Sequence, residues 1–345
     1  MKVLSLFDGM ACWYEALLRA WIKIDVYYAS EIDEHAIKIA KKNHPDIIEI
    51  WDVQNLWYEW DLLKSSEWRQ QKNIRVAGVW PIDLLIGWSP CQWFSTAWKM
   101  LNFDDPRSKL FFEYVRLLKE IKPKYFLLEN VVMKKEWVDI ISSALWVQPI
   151  KINSSLVSAQ NRKRLYRTNI PSVSQPKDKG ILLKDILEDE VDEKYYYSQE
   201  RWEKLLVWKY DIVKRLENID GKCNTLTTVG GGIMKRKSVS EWIKIKQATK
   251  QWYIEAHEWD GISLAYPSST TRRGRVIHQK SATLTASGDE WVYNKVIRKL
   301  TPTEYERLQT LEDWYTAWVS DSQRYKMLWN WWTVDVIAHI FRFIP

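Results

Sequence analysis

The stretch KVLSLFDG at residues 2–9 is the first indication of the fold. Its apolar run ends at Asp8 and Gly9, which is typical of a buried parallel strand that leads into a tight turn. The residues that follow, 13–20, have the apolar spacing of a helix. The stretch therefore predicts the first strand and helix of an α/β protein, with ligands at the carboxyl ends of parallel strands.

The same alternation continues to about residue 170 and then breaks. Further strands are predicted at 26–29, 82–86 and 125–128, and further helices at 36–43 and 109–121. From 171 to 290 the chain carries prolines, an acidic run, short β-like pieces and basic clusters, and helical texture returns at Thr301. We predict an α/β domain of residues 1–170 plus 291–345, and a smaller, irregular, β-containing domain of residues 171–290.

Composition narrows the class of protein. The 345 residues include 46% hydrophobic residues, but no apolar run approaches the roughly 18 residues of a membrane span. Three cysteines without a CxxC pair argue against a disulfide scaffold and against a zinc site, so no metal is expected. The start reaches Asp8 too soon for a signal peptide, and a cytoplasmic protein is predicted. A net charge of +7 hints weakly at a polyanionic partner.

Two residues at predicted strand ends could carry chemistry. Pro90 and Cys91 follow the strand at 82–86, where helix N-termini would favour a cysteine thiolate facing the ligand crevice. A lone cysteine is more often a small buried hydrophobe. Glu129 ends the strand at 125–128 and so points into the same crevice, although such a carboxylate is more often a cap or a solvated residue.

Two other residues indicate a nucleoside cofactor. Gly9 would let the backbone approach the cofactor closely, and Glu31 follows about twenty residues later, where a carboxylate often binds ribose hydroxyls. Each signal alone describes many nucleotide-binding sheets. Together and in this order they are more specific.

Taken in order along the chain, these motifs resemble those of the cytosine-C5 DNA methyltransferases. The resemblance extends over nearly the whole chain and is weakest in its middle third. The matching segments are Leu6–Gly9, Ser30–Asp33, Trp51–Val53, Ser89–Gln92, Glu129–Val131, Gln160–Arg164, Leu300–Pro302, Glu306–Gln309 and Asn330. Pro-Cys-Gln, Glu-Asn-Val and Gln-x-Arg-x-Arg rarely occur together in this order by chance.

The resemblance implies a Rossmann-like, mostly parallel sheet and methyl transfer from S-adenosylmethionine (SAM) to carbon 5 of cytosine in duplex DNA. It also implies that residues 1–170 plus 291–345 form the catalytic, SAM-binding domain. Cys91 would add to carbon 6 of a flipped-out base, since carbon 5 is itself a poor nucleophile. Glu129 would donate a proton or hydrogen bond at N3. Arg164 would lie near O2 of the cytosine, with Gln160 and Arg162 supporting the same loop.

The resemblance also assigns cofactor and DNA contacts. Phe7 would lie against the adenine ring of SAM, Glu31 on the ribose, Asp52 on the adenine amino group and Asn330 near the amino-acid end. Gly9 and Pro90 are assigned to the same site.

Segment 171–290 would be the target-recognition domain that contacts DNA phosphates and base edges. Its candidate phosphate contacts are Arg272, Arg273 and Arg275 in one cluster and Lys235–Lys237 in another, although a solvated surface is the simpler alternative. A cognate restriction endonuclease is a possible partner, and a monomer is expected.

The chain departs from this family at tryptophans. It has 23 Trp and 11 Gly, whereas a usual content would give roughly 24 glycines. Tryptophan stands where the family carries glycine at Trp13, Trp51, Trp88, Trp93, Trp329 and Trp331, whereas Trp332 can be a true tryptophan. Seven more are in turn-like contexts: Trp21, Trp98, Trp146, Trp252, Trp259, Trp314 and Trp318.

We hypothesise that the gene reads UGA as glycine and that this translation wrote tryptophan instead. The hypothesis predicts UGA codons at positions 13, 88, 93, 329 and 331, and UGG at 332. The natural protein would then be an active methyltransferase. An indole at a glycine site strains the backbone and fills the pocket, so the chain as written would bind SAM poorly.

Two other functions compete with DNA methylation. An RNA cytosine-C5 methyltransferase could use the same core, but the roughly 120-residue middle segment favours duplex readout. A catalytically inactive regulator that binds DNA or a partner enzyme is the alternative from a different class. A decayed enzyme would have no reason to keep its catalytic motif residues, which are Cys91, Glu129, Gln160, Arg162 and Arg164.

Overall fold

The computed structural model of this chain describes most of the regular structure. The described residues are 1–50, 52–59, 62–66, 73–76, 81–88, 108–196, 242–248, 252–263, 269, 271, 274–286, 288, 290–294 and 296–345. The strands are β1 (Lys2–Leu6), β2 (Val26–Ser30), β3 (Ile48–Glu49), β4 (Leu56–Glu59), β5 (Leu62–Ser66), β6 (Asn73–Val76), β7 (Leu84–Trp88), β8 (Tyr125–Val131), β9 (Ile150–Asn153), β10 (Lys163–Thr168), β11 (Trp242–Lys246), β12 (Tyr253–His257), β13 (Gly261–Ser263), β14 (Val276–Ile277), β15 (Glu290–Asn294) and β16 (Val296–Lys299). The helices are α1 (Cys12–Arg19), α2 (Glu34–Asn43), α3 (Ser108–Ile121), α4 (Lys135–Leu145), α5 (Pro302–Leu308), α6 (Asp321–Asn330) and α7 (Val334–Phe341).

A seven-stranded sheet in the order β3-β2-β1-β7-β8-β10-β9 lies at the centre of the fold. Strand β1 pairs in parallel with β2 and β7, and β7 pairs in parallel with β8. The prediction of a mostly parallel α/β sheet is therefore confirmed. Strand β10 runs antiparallel to both of its neighbours, β8 and β9. The carboxyl ends of β1, β2, β7 and β8 meet at one edge of the sheet.

Helices cover both faces of this sheet, as the continuous apolar runs of the central strands require. Alternate side chains of β1 enter different cores: Val3 packs with residues of α1 and α7, whereas Leu4 and Leu6 pack with residues of α3 and α4. A strand buried on both faces is thereby fixed in register. Its carboxyl end is held rigidly beside the loop that follows it.

The smaller sheets are all antiparallel. They are β4-β5-β6, β11-β12 and β14-β13-β15-β16. Within the middle segment, Leu183, Ile186 and Leu284 are buried in the same core cluster as α1 and α7. This part of residues 171–290 therefore packs on the central core, and the division into two domains stays a prediction.

The last three helices complete the face of the sheet that carries α1. Helix α5 begins as the sequence predicts: Thr301 accepts a hydrogen bond from the backbone N–H of Glu304, and the Glu304 carboxylate accepts one from the N–H of Thr301. Helix α7 packs against α1. In the part of the chain that the structure describes, no helix has both the length and the apolar character that a membrane span needs.

Candidate active site

The loop after β1 and the end of β2 form the first part of the site. Gly9 has a φ of +63°, which glycine adopts without strain, and its N–H donates to Glu31 Oε2 at 2.8 Å. The other oxygen of Glu31 accepts from the N–H groups of Ile32 and Asp33 at 2.8 and 2.9 Å. Backbone amides thus fix the Glu31 carboxylate at the carboxyl edge of the sheet, beside Gly9.

Asp8 in this loop and Glu49 on β3 form a pair of interacting carboxyl groups that the sequence did not predict. Asp8 is fully buried and accepts a hydrogen bond from the Tyr27 hydroxyl at 2.5 Å. Burial raises the pKa of Asp8 to about 7. Burial, followed by the nearby charge of Asp8, raises the pKa of Glu49 to about 8. The two groups therefore hold protons at a pH where exposed carboxyl groups are ionised.

We expect Asp8→Asn to flatten the pH dependence of stability. The unfolded chain loses the Asp8 proton near pH 3.8 and the folded chain near 7, so the folded state binds more protons in between. The free energy of unfolding should then fall as pH rises through this window, by up to about 1.4 kcal/mol per pH unit. Urea unfolding of both chains from pH 4 to 8 measures this slope.

A slope in Asp8→Asn as steep as in the parent chain would contradict the assignment. Tyr27→Phe is a companion variant, because removing a hydrogen bond to the ionised carboxylate should move the slope to higher pH. Glu49 contributes a slope of the same sign, so Glu49→Gln should flatten what Asp8→Asn leaves.

Glu129 and Arg164 form the second part of the site. Glu129 is 3% exposed on β8, and its Cα pairs with that of Trp88 at the end of β7. Arg164 lies on the adjacent strand β10, with its Nε 2.9 Å from Glu129 Oε1. The structure therefore brings these two predicted catalytic residues together. Cys91 comes three residues after Trp88 in the sequence and lies outside the described residues, as does Pro90.

Buried polar atoms without partners mark the same region. Arg162 is 3% exposed; its Nη2 donates to the Trp329 carbonyl at 3.3 Å, but its Nε and Nη1 have no hydrogen-bond partner among the described residues. Burial, followed by the charge of Arg164, lowers the pKa of Arg162 to about 9. Two residues earlier in the chain, both side-chain amide atoms of buried Gln160 also lack a partner in the part of the chain that the structure describes. Such atoms are costly unless a ligand pairs with them.

Sequence reasoning missed two neighbours of the predicted acid. Tyr166 pairs with Glu129 across β8 and β10, and burial raises the pKa of its hydroxyl. Arg167 is fully buried and donates from Nη1 to Asn130 Oδ1 at 2.8 Å. The sequence feature that could have indicated Tyr166 is the two-residue period of a strand, which places Tyr166 on the same face of β10 as Arg164.

The remaining predicted site residues are scattered or lie outside the described residues. Asp52 Oδ1 accepts from the N–H of Gln54 at 2.9 Å, and Asn330 is the last residue of α6. Arg275 is 3% exposed, so its side chain is not open to a DNA phosphate in this conformation. Arg272 and Arg273 lie outside the described residues, as do Lys235–Lys237, Trp51 and Trp93.

Aromatic rings occupy the space over the first loop. A Cβ built on Gly9 would lie only 1.6 Å from Trp331 Cζ2, so the indole covers the Gly9 Cα. Trp331 is 4% exposed and its ring centroid is 5.9 Å from that of Trp88, whose Nε1 donates to the Phe7 carbonyl at 3.0 Å. The Glu31 carboxylate is held beside Gly9, and the Trp331 ring covers the Gly9 backbone there.

Comparison with known proteins identifies the class to which this sheet and site belong. A sequence profile of the C-5 cytosine-specific DNA methylases matches residues 1–136 and 154–345. The chain belongs to this family.

Several members resemble it along most of their length. The orphan methyltransferase M.SPRI of Bacillus phage SPR is 26% identical, over 99% of this chain and 97% of its own. The type II methyltransferase M1.ScrFI of Lactococcus lactis subsp. cremoris is 30% identical, over 89% of this chain and 69% of its own. A putative DNA modification methyltransferase from an E. coli prophage has a similar fold, with a TM-score of 0.60 at 22% identity over 99% of this chain and 98% of its own.

Proposed function

We propose that this protein transfers a methyl group from SAM to carbon 5 of cytosine in duplex DNA, through a transient bond between Cys91 and the base. The observation that carries the proposal is the buried Glu129 carboxylate at the catalytic edge of the sheet, in contact with Arg164 and level with Trp88. A buried carboxyl group fixed in position by a guanidinium can pair with a ring nitrogen while water is excluded.

The protein side chains would act on the base in three steps. The Cys91 thiolate would form a bond to carbon 6, and the π electron pair of the C5–C6 double bond would shift onto carbon 5 and toward N3. Glu129 would donate a proton or hydrogen bond at N3 to hold the charge. Carbon 5 would then use this electron pair to bond the methyl group that bound SAM would supply, and the methyl–sulfur bond would break with its electron pair left on the SAM sulfur. Loss of the carbon 5 proton to a base drives the electron pair back into the ring and releases the Cys91 thiolate.

The unpartnered polar atoms near Glu129 fit the recognition of an extruded base. Gln160 and Arg162 have buried donors that nothing in the described part of the chain satisfies, and a cytosine O2 is an acceptor. A base within a duplex could not reach groups buried to this extent, so the target must leave the stack. Segment 171–290 would supply the phosphate and base-edge contacts of the target-recognition domain.

Methyl transfer is tested in a glycine-restored chain, which carries glycine at 13, 51, 88, 93, 329 and 331. With tritiated SAM, the glycine-restored chain should label duplex DNA and leave tRNA unlabelled, and sequencing of cellular DNA should locate 5-methylcytosine. The chain as written should label neither, because Trp331 covers Gly9. Labelling of tRNA alone would replace the proposal by RNA methylation.

The inactive regulator is the second candidate, because the Trp331 ring covers the Gly9 backbone. A regulator of this kind would bind duplex DNA without labelling it even in the glycine-restored chain. Measuring duplex binding by gel shift beside the tritium assay separates the two, since the enzyme must show both properties.

A further inference from the structure

Five tryptophans occupy a backbone conformation that favours glycine. Their φ angles lie between +55° and +70°: Trp21, Trp146, Trp252, Trp259 and Trp314. Among the described residues, eleven non-glycine residues have positive φ, and five of these are tryptophan, although tryptophan is only 23 of the 345 residues. Only four of the described glycines have positive φ. Among the described residues, tryptophan thus occupies the left-handed region more often than glycine does. A bulky side chain strains the backbone in this region.

The hydrogen bonds at these positions are those of glycine turns. After α1, the N–H of Trp21 donates to the Leu18 carbonyl and the N–H of Ile22 to the Leu17 carbonyl, which is the helix-ending motif with glycine at its left-handed residue. Trp146 ends α4 with a φ of +55° and ψ of +25°. The left-handed residue at a helix end is usually glycine.

The turns between strands of the middle segment show the same pattern. The N–H of Asp260 donates to the His257 carbonyl at 3.0 Å, and Trp259, the third residue of this turn, has a φ of +70°. A positive φ at the third position of a turn calls for glycine or asparagine. Trp252 stands in the connection between β11 and β12 with a φ of +62°.

Burial gives no reason for tryptophan at four of these turns, where the indole is mostly exposed, Trp314 among them at 62%. Trp21 is 92% exposed, Trp146 73% and Trp252 70%. Trp332 shows the contrast: it is 1% exposed, its ring centroid lies 4.0 Å from that of Trp13, and its φ is not left-handed. A buried indole of this kind stabilises a core, whereas an exposed indole on a left-handed backbone adds strain without burial.

We infer that the functioning protein carries glycine at these five turn positions, because its gene is read with UGA as glycine. The inference uses positions outside the catalytic motifs and does not rest on methyl transfer. The indole of Trp331 over Gly9 is a separate sign of the same substitution, since the ring lies against the Cα of a glycine with a φ of +63°.

Comparing glycine with alanine at each position tests the backbone directly. Each of the five tryptophans is replaced singly by glycine and by alanine, and urea unfolding is measured for both. Both changes remove the indole, so their difference reports the backbone alone. Glycine should raise the folded-to-unfolded ratio about five- to thirtyfold above alanine, the reverse of the usual order.

Trp137 provides the matched control, because it lies within α4. There alanine should be more stable than glycine, since glycine loses more entropy in a helix. Alanine equal to or better than glycine at the left-handed positions as well would overturn the inference.

The coding DNA gives a second test, which needs no folded protein. UGA at codons 21, 146, 252, 259 and 314, with UGG at 137 and 332, supports the inference, and UGG at the five turn codons overturns it. Peptide mass spectrometry of the protein from the organism that carries the gene should find glycine residue masses at the five positions. Failure of the tritium assay would leave both results unchanged, so the two proposals fail separately.

Discussion

The glycine-restored chain with serine in place of Cys91 should form no covalent complex with duplex DNA that contains 5-fluorocytosine. Its parent should form one that survives a denaturing gel. The parent adds its thiolate to carbon 6 and accepts the methyl group at carbon 5, but release requires loss of a proton from carbon 5. Fluorine cannot leave as a cation, so the adduct remains. A serine hydroxyl is not ionised near neutral pH and does not start the sequence.

The two other cysteines of the chain are the matched controls. Cys12 is buried in α1, where burial raises the pKa of its thiol, so Cys12→Ala should leave adduct formation intact. Cys223→Ala should also leave it intact. The assignment of Cys91 as the nucleophile would be wrong if Cys91→Ser still formed the covalent adduct. It would also be wrong if only one of the two alanine variants lost the adduct.

The same Cys91→Ser variant should lose methyl transfer to ordinary duplex DNA by at least about three orders of magnitude. Duplex binding, measured by gel shift, should stay at the parent level, because serine differs from cysteine in one atom and has almost the same volume. Loss of binding together with activity would indicate a folding defect, which urea unfolding of the variant detects independently.

The parallel half of the fold could be predicted from the sequence because its signals are local. The runs at 3–6 and 125–128 are apolar except for Ser5 and are bounded by turn or helix signals, which is how a strand buried on both faces appears in a sequence. Thr301 and Glu304 indicate a helix start within four residues. Each feature is decided by neighbours in the chain.

Contacts between distant residues could not be predicted in this way. The antiparallel edge formed by β9 and β10 depends on pairing with β8, and the sequence of each strand alone is compatible with other partners. The burial of Arg275 and the protonated Asp8–Glu49 pair also depend on what the rest of the fold places around them. Trp331 covers Gly9 although the two residues are 322 positions apart in the chain. The sequence showed only that Trp331 stands where the resembled family carries glycine.

Glu129→Gln in the glycine-restored chain should lower the rate of methyl transfer to duplex DNA by about two to four orders of magnitude. Glutamine keeps the size of the side chain but cannot transfer a proton to N3. It also removes the negative charge that Arg164 contacts at 2.9 Å. The rate measured at saturating SAM and DNA isolates the chemical step from binding.

Glu120→Gln is a control with the same chemical change at another ion pair. Glu120 accepts two hydrogen bonds of 2.9 Å from Arg116 on α3, and each of these side chains is 32% exposed. Surface pairs contribute up to about 1 kcal/mol to stability, so this variant should keep the parent rate. A rate within tenfold of the parent for Glu129→Gln would remove Glu129 from the chemistry.

Covalent complex formation with DNA that contains 5-fluorocytosine then distinguishes whether Glu129 acts as an acid or as a positioning residue. If Glu129 stabilises the charge that develops when Cys91 adds to carbon 6, Glu129→Gln should slow adduct formation by a factor similar to its effect on methyl transfer, because both pass through the same addition. If Glu129 only holds Arg164 in place, Arg164→Met should slow both reactions as much as Glu129→Gln, and the double variant should be no slower than either single variant. Independent, additive losses would assign the proton at N3 to Glu129 itself.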